Sequence, residues 1–429
     1  MSGPRNEQDH QQDHQHDGAQ DALRAAPPAQ ETTFPVVAVI GGGQLARMTA
    51  PPAVALGARL RVLATDPDES AAQVVSDVVL GEADDADALA RVADGAAVVT
   101  LDHEQVPTDL LRALEARGVA VRPGPDALEH AQDKLLLRRR LGAMGVPGPR
   151  WAHVRTAAEL EAFGAEVGWP VVLKTPRGGY DGKGVLVVGS AAEAAEWLER
   201  AAAGAGAGAG DGGGEGPGLL AEERVGFTRE LAVMVARSPM GQAAAWPVVE
   251  TVQVSGVCVE VIAPAPDLDE DLAAQATSLA LRIAGELGVT GVMAVELFEV
   301  PGDDDGAPRV LVNELAMRPH NSGHWTIEGS TTSQFEQHLR AVLDLPLGDT
   351  TPRARWTVMA NALGGQYPDL FRAHLHVMAH DPAVKVHLYG KAVRPGRKIG
   401  HVTAWGDDLD EVRARARHAA DYITGTIDG

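Results

Sequence analysis

The run Val36-Val37-Ala38-Val39-Ile40, closed by Gly41-Gly42-Gly43-Gln44-Leu45-Ala46, constrains the fold more than any other stretch of this chain. The five residues have no polar face, so a strand built from them must be covered on both sides, as in a parallel sheet. Glycines and a helix start directly after such a strand are how doubly wound α/β sheets open. The rhythm continues. Leu60 to Leu63 predicts the next strand, leading to Asp66, and Ala97 to Thr100 and Val119 to Val121 predict two more, with helices at Ala86 to Ala93 and Thr108 to Arg117. An open α/β domain is expected over residues 36–132. Pro51 and Pro52 fall where the first helix should continue, which predicts a helix that stops and restarts with proline in its first turn.

The pattern Gly41-x-Gly43-x-x-Ala46, with Asp66 further on, also fits a dinucleotide fingerprint. Two readings follow. The glycines serve either a nicotinamide cofactor or another ligand that approaches the backbone closely, such as a sugar phosphate.

Composition narrows the class. At 429 residues and 45% hydrophobic content, the chain is long enough for two or three domains with real cores. A formal charge of -22 counts against a nucleic-acid binder, which needs a basic face. The single cysteine, Cys258, excludes a disulfide framework and reads as buried packing among Val257, Val259 and Val261. No apolar run approaches the ~20 residues of a membrane helix, and the acidic N-terminus lacks the regions of a signal peptide. A soluble cytoplasmic protein is expected. Residues 1–35 read as a disordered acidic tail, where His10, His14 and His16 could bind a metal weakly but a solvated segment cannot fix a coordination geometry.

From about Gln132 the pattern changes. A basic helix, Asp133 to Met144, precedes a strand at Pro170 to Lys174, a glycine-rich loop from Thr175 to Gly184, and a strand at Val185 to Val188. Residues 201–218 are almost all Ala and Gly and read as a mobile surface insertion. Further strands are expected at Leu219 to Val225, Glu230 to Ala236 and Val248 to Val261, then a helix at Leu272 to Leu287. Gly291 to Phe298 should pair with Arg309 to Leu315 across an acidic turn. Short strands and a C-terminal helix follow over residues 347–429.

Three features carry chemistry. Lys174 ends a strand next to the glycine loop, whose backbone N–H groups can close over phosphates while the lysine supplies a fixed charge. The bland alternative is a plain turn. Glu296 and Glu314 sit on strands joined as a hairpin, so both carboxylates can reach one point, and Mg²⁺ prefers carboxylate and phosphate oxygens. Glu296 lies inside an apolar run, where an unpaired carboxylate would be costly. Finally, Glu222-Glu223 can accept hydrogen bonds from an adenine amine and ribose hydroxyls. Beyond Glu314 the chain reads L-A-M-R-P-H-N-S-G-H-W-T, too polar for core and unlike a helix surface.

With G-G-G-Q-L-A-R-M, G-G-Y-D-G-K-G, G-V-M-A-V-E, N-E-L-A-M-R-P-H-N-S-G-H-W-T and K-A-V-R-P-G-R-K-I-G-H in place, the chain resembles the ATP-grasp superfamily from Val36 to the C-terminal helix. Within it, the resemblance is to the 5-(carboxyamino)imidazole ribonucleotide synthase family of purine biosynthesis. It implies a Rossmann-like pre-ATP-grasp domain (36–132), a two-lobed ATP-grasp domain (133–346) and a small mixed C-terminal domain (347–429). The implied reaction uses ATP and bicarbonate to carboxylate the exocyclic amine of aminoimidazole ribonucleotide through carboxyphosphate. Lys134, Lys174 and the loop residues Gly179, Tyr180, Asp181, Gly182, Lys183 and Gly184 would meet ATP phosphates. Glu222, Glu223, Val225 and Glu230 would contact adenine and ribose, with Gln253 where a histidine often touches ATP. Glu296 and Glu314, beside Asn313, would hold Mg²⁺ or Mn²⁺. Arg318, His320 and Asn321 would hold bicarbonate. Gln44, Glu104, Tyr180, Asp181, Lys391, Arg394 and Arg397 would bind the ribonucleotide. A homodimer and a functional link to the mutase of the next step are also implied. The chain departs from the family pattern at Met317, where proline is usual, and at Pro319. Other readings remain: a formate-using acyl-phosphate ligase, a nicotinamide oxidoreductase, or a non-catalytic nucleotide-binding regulator.

Overall fold

The computed structural model describes residues 34–179, 184–203, 218–302, 306–365 and 369–427. Most of the expected tail and insertion therefore lies outside the described residues.

The first domain runs β1 (Val36–Ile40), α1 (Gln44–Leu56), β2 (Arg59–Ala64), β3 (Asp77–Leu80), α2 (Ala86–Ala93), β4 (Val98–Leu101) and α3 (Thr108–Ala116). Its four strands form a parallel sheet in the order β3-β2-β1-β4. β1 lies inside the sheet and its residues 37–40 are buried, as an all-apolar strand requires. Two expectations are corrected. Val119 to Val121 is not a strand, since Val121 makes only a single parallel bridge to Val99 before Pro123 turns the chain. The fourth strand is β3, a short edge whose Asp77 disguises it. The first helix also does not break at its prolines: α1 is continuous through Pro51 and Pro52. Ala46 and Ala53 pack on the sheet, Leu45 and Met48 pack against Phe335 and Tyr389, and Pro51 is exposed, so packing outweighs the two missing N–H donors.

Next come α4 (Pro125–Gln132) and α5 (Lys134–Ala143), whose start is capped by Asp133 accepting from the N–H groups of Leu135 and Leu136. A small lobe follows: β5 (Trp151–Val154), α6 (Ala157–Val167), β6 (Val171–Lys174), β7 (Val185–Val188), α7 (Ala195–Ala203) and β8 (Leu219–Glu223). Its antiparallel sheet has the order β5-β8-β6-β7 and a core of its own around Leu160, Phe163, Leu173 and Leu219.

The rest of the chain builds one large sheet. It comprises β9 (Arg229–Arg237), β10 (Ala243–Ala245), β11 (Val249–Val254), β12 (Val257–Ala263), α8 (Glu270–Glu286), β13 (Gly291–Val300), β14 (Arg309–Ala316), α9 (Gln334–Val342), β15 (Trp356–Leu363), α10 (Leu370–His380), β16 (Lys385–Leu388), β17 (Lys398–Gly406) and α11 (Leu409–Thr424). The strand order is β14-β13-β9-β11-β12-β15-β17-β16, with β10 paired to β9. The single strand expected at Val248 to Val261 is instead the hairpin β11–β12. Ser255 and Gly256 turn it with φ of 52° and 77°, and serine-glycine between β-branched runs is a turn signal that was present in the sequence. β15 hydrogen-bonds to β12 from Glu260↔Ala360 to Ala263↔Thr357, so the strands after residue 346 extend the central sheet. Cys258 is buried on it, as expected, and burial pushes its thiol up to about 12.

Candidate active site

β13 and β14 pair as expected, with Glu296 opposite Glu314 and a register shift immediately after Glu296. Residues opposite each other across a ladder share a face, and both carboxylates line the same cleft. On the adjacent strand β9, Glu230 is opposite Phe298, two residues along from Glu296, and also faces the cleft. Three carboxylates thus converge. Burial pushes the Glu230 carboxyl up to about 7, the Glu296 charge adds to that, and Lys174 opposes it. For Glu296, burial acts upward but is outweighed by the hydrogen bond and charge of His320, whose Nε2 is 3.2 Å away, so its carboxyl lies below the ordinary range. Glu314 has Lys134 Nζ at 3.3 Å.

Lys174 sits at the end of β6 in the small lobe. Its Nζ is 2.8 Å from Glu222 and donates to Asn313 Oδ1 at 3.0 Å. The other Glu222 oxygen receives Arg138 Nε at 2.5 Å, and Arg138 also donates to the carbonyls of Val312 and Asn313. Both Arg138 and Glu222 side chains are 3% exposed. Glu222, expected at adenine and ribose, lines the cleft, and its two oxygens are engaged by Arg138 and Lys174, which fixes the lysine and ties α5, β8 and β14 together. Arg138 itself was legible only as one charge in a basic helix. Glu223 pairs with Arg150 at 2.7 Å and lines the cleft next to Val225. Phe227 stacks on Phe298, centroids 4.7 Å apart, and the two make an apolar wall there.

The segment after β14 is held from both sides. Glu104, at the end of the first domain's β4 loop, accepts from the backbone N–H of Met317 at 2.8 Å and from Arg318 Nε at 3.2 Å. A proline at 317 would lack that N–H, so the departure at Met317 has a structural use here. Burial works against the Arg318 charge, but Glu104 and Asp102 more than compensate and hold the guanidinium protonated. Behind the loop, buried Gln334 of α9 accepts from His320 N–H (2.8 Å), donates to His320 C=O (2.9 Å) and meets His324 Nδ1 at 2.8 Å. Nothing in the sequence marked Gln334 for this role. Both amide atoms of Asn321 are buried with no hydrogen-bond partner beyond the weak thiol of Cys258. Such an orphaned amide in a cleft is a place for a ligand oxygen.

The first domain forms the facing wall. Asp102 accepts from Ala46 N–H at 2.7 Å, at the start of α1, and burial raises its carboxyl against the pull of Ala46, His103, Arg318 and Lys391. A Cβ on Gly43 would come within 2.1 Å of Asp102 Oδ2, and Gly41 has φ +106° against His103. The glycines therefore make room for Asp102, which occupies the helix N-terminus where a dinucleotide pyrophosphate would have to sit. That counts against the nicotinamide reading. Gln44 lines the cleft and accepts from Lys391 Nζ. Arg394 and Arg397 are exposed on the loop before β17 and are not among the cleft-lining residues, whereas Lys398, left unassigned in the sequence, is. Lys134, Gly179 and Gln253 line it as well. Gly184 closes the hairpin by accepting from Thr175 N–H. Tyr180, Asp181, Gly182 and Lys183 lie outside the described residues.

The cleft has a volume of about 1720 Å³ and lies between the first domain, the small lobe and the large sheet. That size suits a nucleotide and a second small molecule together. A strand-borne lysine from one lobe facing a carboxylate pair on the other defines an ATP-grasp enzyme, and the ATP-grasp domain family matches residues 139–335. The ribonucleotide synthetase preATP-grasp domain matches 35–132, and the phosphoribosylaminoimidazole carboxylase C-terminal domain matches 357–415. The N5-carboxyaminoimidazole ribonucleotide synthase of Mycobacterium tuberculosis is 54% identical over 394 residues, 91% of this chain and 88% of that one. That of Corynebacterium ammoniagenes is 50% identical over 403 residues, 92% and 94% of the two chains. The crystal structure of the Thermus thermophilus synthetase superposes with a TM-score of 0.77 at 37% identity, covering 92% of this chain and 99% of that one. The Aspergillus clavatus enzyme, in complex with ADP and 5-aminoimidazole ribonucleotide, superposes with a TM-score of 0.79 at 32% identity over 92% and 99%. This chain belongs to the N5-carboxyaminoimidazole ribonucleotide synthase family.

Proposed function

We propose that this protein is the ATP- and bicarbonate-dependent ligase that carboxylates the exocyclic amine of 5-aminoimidazole ribonucleotide, releasing ADP and phosphate, in de novo purine biosynthesis. The observation that carries the reading is the convergence in one cleft of the Glu296–Glu314 pair, the Arg318–His320–Asn321 loop and the first domain's Gln44 and Glu104. This grouping supports a reading in which metal, acid substrate and ribonucleotide bind side by side.

Glu230, Glu296 and Glu314 are hard oxygen donors on one sheet face, and the Glu230 carboxyl is raised first by burial and then by the Glu296 charge beside it. They fit Mg²⁺ or Mn²⁺, held chiefly by Glu296 and Glu314 with Asn313 alongside. When bound, the cation neutralises charge on the ATP phosphates. Lys174, fixed by Glu222, and Lys134 supply the protein's own charge to the same phosphates. Backbone at Glu223 to Val225 and the Phe227–Phe298 wall receive the adenine. Arg318, oriented by Glu104, and the open Asn321 amide grip bicarbonate for attack on the γ-phosphorus, with His320 between them and Glu296. ADP leaves, the amine takes the carboxyl carbon of carboxyphosphate, and phosphate departs. Gln44 and Glu104 in the cleft, Lys391 on Gln44, and Tyr180 and Asp181 of the loop hold the ribonucleotide, with Arg394 and Arg397 reaching its phosphate from the exposed loop outside the cleft lining. Carboxyphosphate is labile in water, so the glycine loop and small lobe close before it forms.

Among the described residues no helix is long and apolar enough to cross a membrane. In this reading the enzyme works in the cytoplasm as a homodimer and hands its product to the mutase of the next step. The test is ADP release by the purified protein with Mg²⁺, which should require both bicarbonate and aminoimidazole ribonucleotide. Release with formate in place of bicarbonate would support the transformylase reading, and ATP binding with no turnover would support a regulator.

A further inference from the structure

Away from the cleft, three histidines meet where α10 packs beside α11. His376 and His380 are four residues apart on α10, so they project from one face. His418 comes from α11. His376 Nε2 and His418 Nε2 are 3.2 Å apart, and one ligand nitrogen from each of the three rings lies within 4.8 Å of the others. Two imidazole nitrogens on one tetrahedral ion, each bonded at about 2.05 Å, would be separated by about 3.3 Å. The His376–His418 spacing is therefore already that of two ligands on a common ion. Tyr422, one turn beyond His418, stacks on His376 at 3.7 Å between centroids and fixes that ring's plane. His380 is exposed, its ring stacks on that of His418 with centroids 4.1 Å apart, and its ligand nitrogen lies within 4.8 Å of the other two.

We propose that His376, His380 and His418 form a binding site for a first-row transition ion, Zn²⁺ above all, that fastens α10 to α11. Neutral imidazoles suit Zn²⁺ and not the hard Mg²⁺ of the catalytic cleft. None of the three lines that cleft, so the site is independent of the reaction. Its use follows from the packing of α10, which buries only Val377 and leaves Phe371, Leu375 and Met378 exposed. A helix with so little apolar anchorage gains its hold from a cross-link that the core does not supply.

The test uses the full chain, stripped with a chelator and returned to millimolar Mg²⁺ to occupy the cleft carboxylates. Zn²⁺ is titrated against a competing chelator, and Co²⁺ replaces it as a spectroscopic probe. One equivalent of Zn²⁺, an intense visible band of tetrahedral Co²⁺, and Zn²⁺-dependent slowing of amide exchange across residues 370–380 are expected. His380→Gln, at an exposed position, should weaken Zn²⁺ at least ~10-fold. The double change His376→Gln with His380→Gln should abolish both the band and the exchange protection. The triple change His10→Ala, His14→Ala and His16→Ala should leave all three readouts intact. Binding that survives the double change, or is lost with the tail histidines, overturns the proposal.

Discussion

Replacing Glu230 by glutamine should stabilise the ligand-free protein at alkaline pH and do nothing for it in acid. The Glu230 carboxyl is held at about 7 against an ordinary 4.5, because burial and the Glu296 charge both disfavour its ionised form. A shift of about 2.5 units corresponds to ~3.4 kcal/mol. The side chain is only partly buried and faces an open cleft, so solvent screening reduces this to roughly 1–2 kcal/mol. The sign follows from proton counting. Between about 4.5 and 7 the folded state keeps a proton that the unfolded state releases, so stability falls as pH rises through that window and the penalty is constant above it. Glutamine cannot ionise, and it escapes the penalty. Thermal melts of both proteins without nucleotide or divalent metal should coincide near about pH 4.5 and diverge by roughly 1–4 °C above about pH 8, the variant melting higher. Groups remote from Glu230 titrate alike in both and cancel in the difference, and relief of the Glu296 repulsion acts in the same direction. A melting difference that is the same at every pH, or one that favours the wild type in alkali, would refute the reasoning.

Arg138→Met should destabilise the protein by ~2–4 kcal/mol, since it leaves Glu222 with Lys174 as its one cationic partner and takes the donor from two buried carbonyls; a urea midpoint unchanged from wild type would refute this. Glu314→Gln should abolish ADP release while moving stability by less than ~1 kcal/mol, because its side chain is 40% exposed; steady-state turnover and a melt together check it. Gln334→Leu deletes three hydrogen bonds to the His320–His324 turn and should cost ~2–3 kcal/mol. It should also lower kcat at least ~10-fold with ATP KM little changed, and an unaltered kcat would remove Gln334 from the support of the bicarbonate loop.

What could be read in the chain beforehand divides along physical lines. β1, the β6–β7 hairpin and the β13–β14 pair announced themselves because apolar periodicity and turn residues are local signals. β3 escaped because a four-residue edge strand with three half-buried residues and an exposed Leu80 carries little pattern, and α1 was expected to break because sequence shows the prolines but not the packing behind them. In the site, Glu296, Glu314 and Lys174 stood out as charges on apolar strands, and Arg318 as part of a stretch too polar for core. Arg138, Asp102 and Gln334 did not, since their work depends on partners 84, 56 and 14 residues away. Glu222 shows the limit from the other side: the residue was singled out, but its occupation by Arg138 and Lys174 belongs to tertiary structure.

The pairing of β15 onto β12 also bears on how this architecture could have been assembled and how it can be cut. A chain ended after residue 346 would strip β12 of its neighbour, leaving its outer edge from Glu260 to Ala263 open, with Val261, Ile262 and Ala263 uncovered. An open apolar edge of that kind recruits other strands and promotes aggregation. The last eighty or so residues are thus a seal on the sheet and cannot be treated as a detachable module.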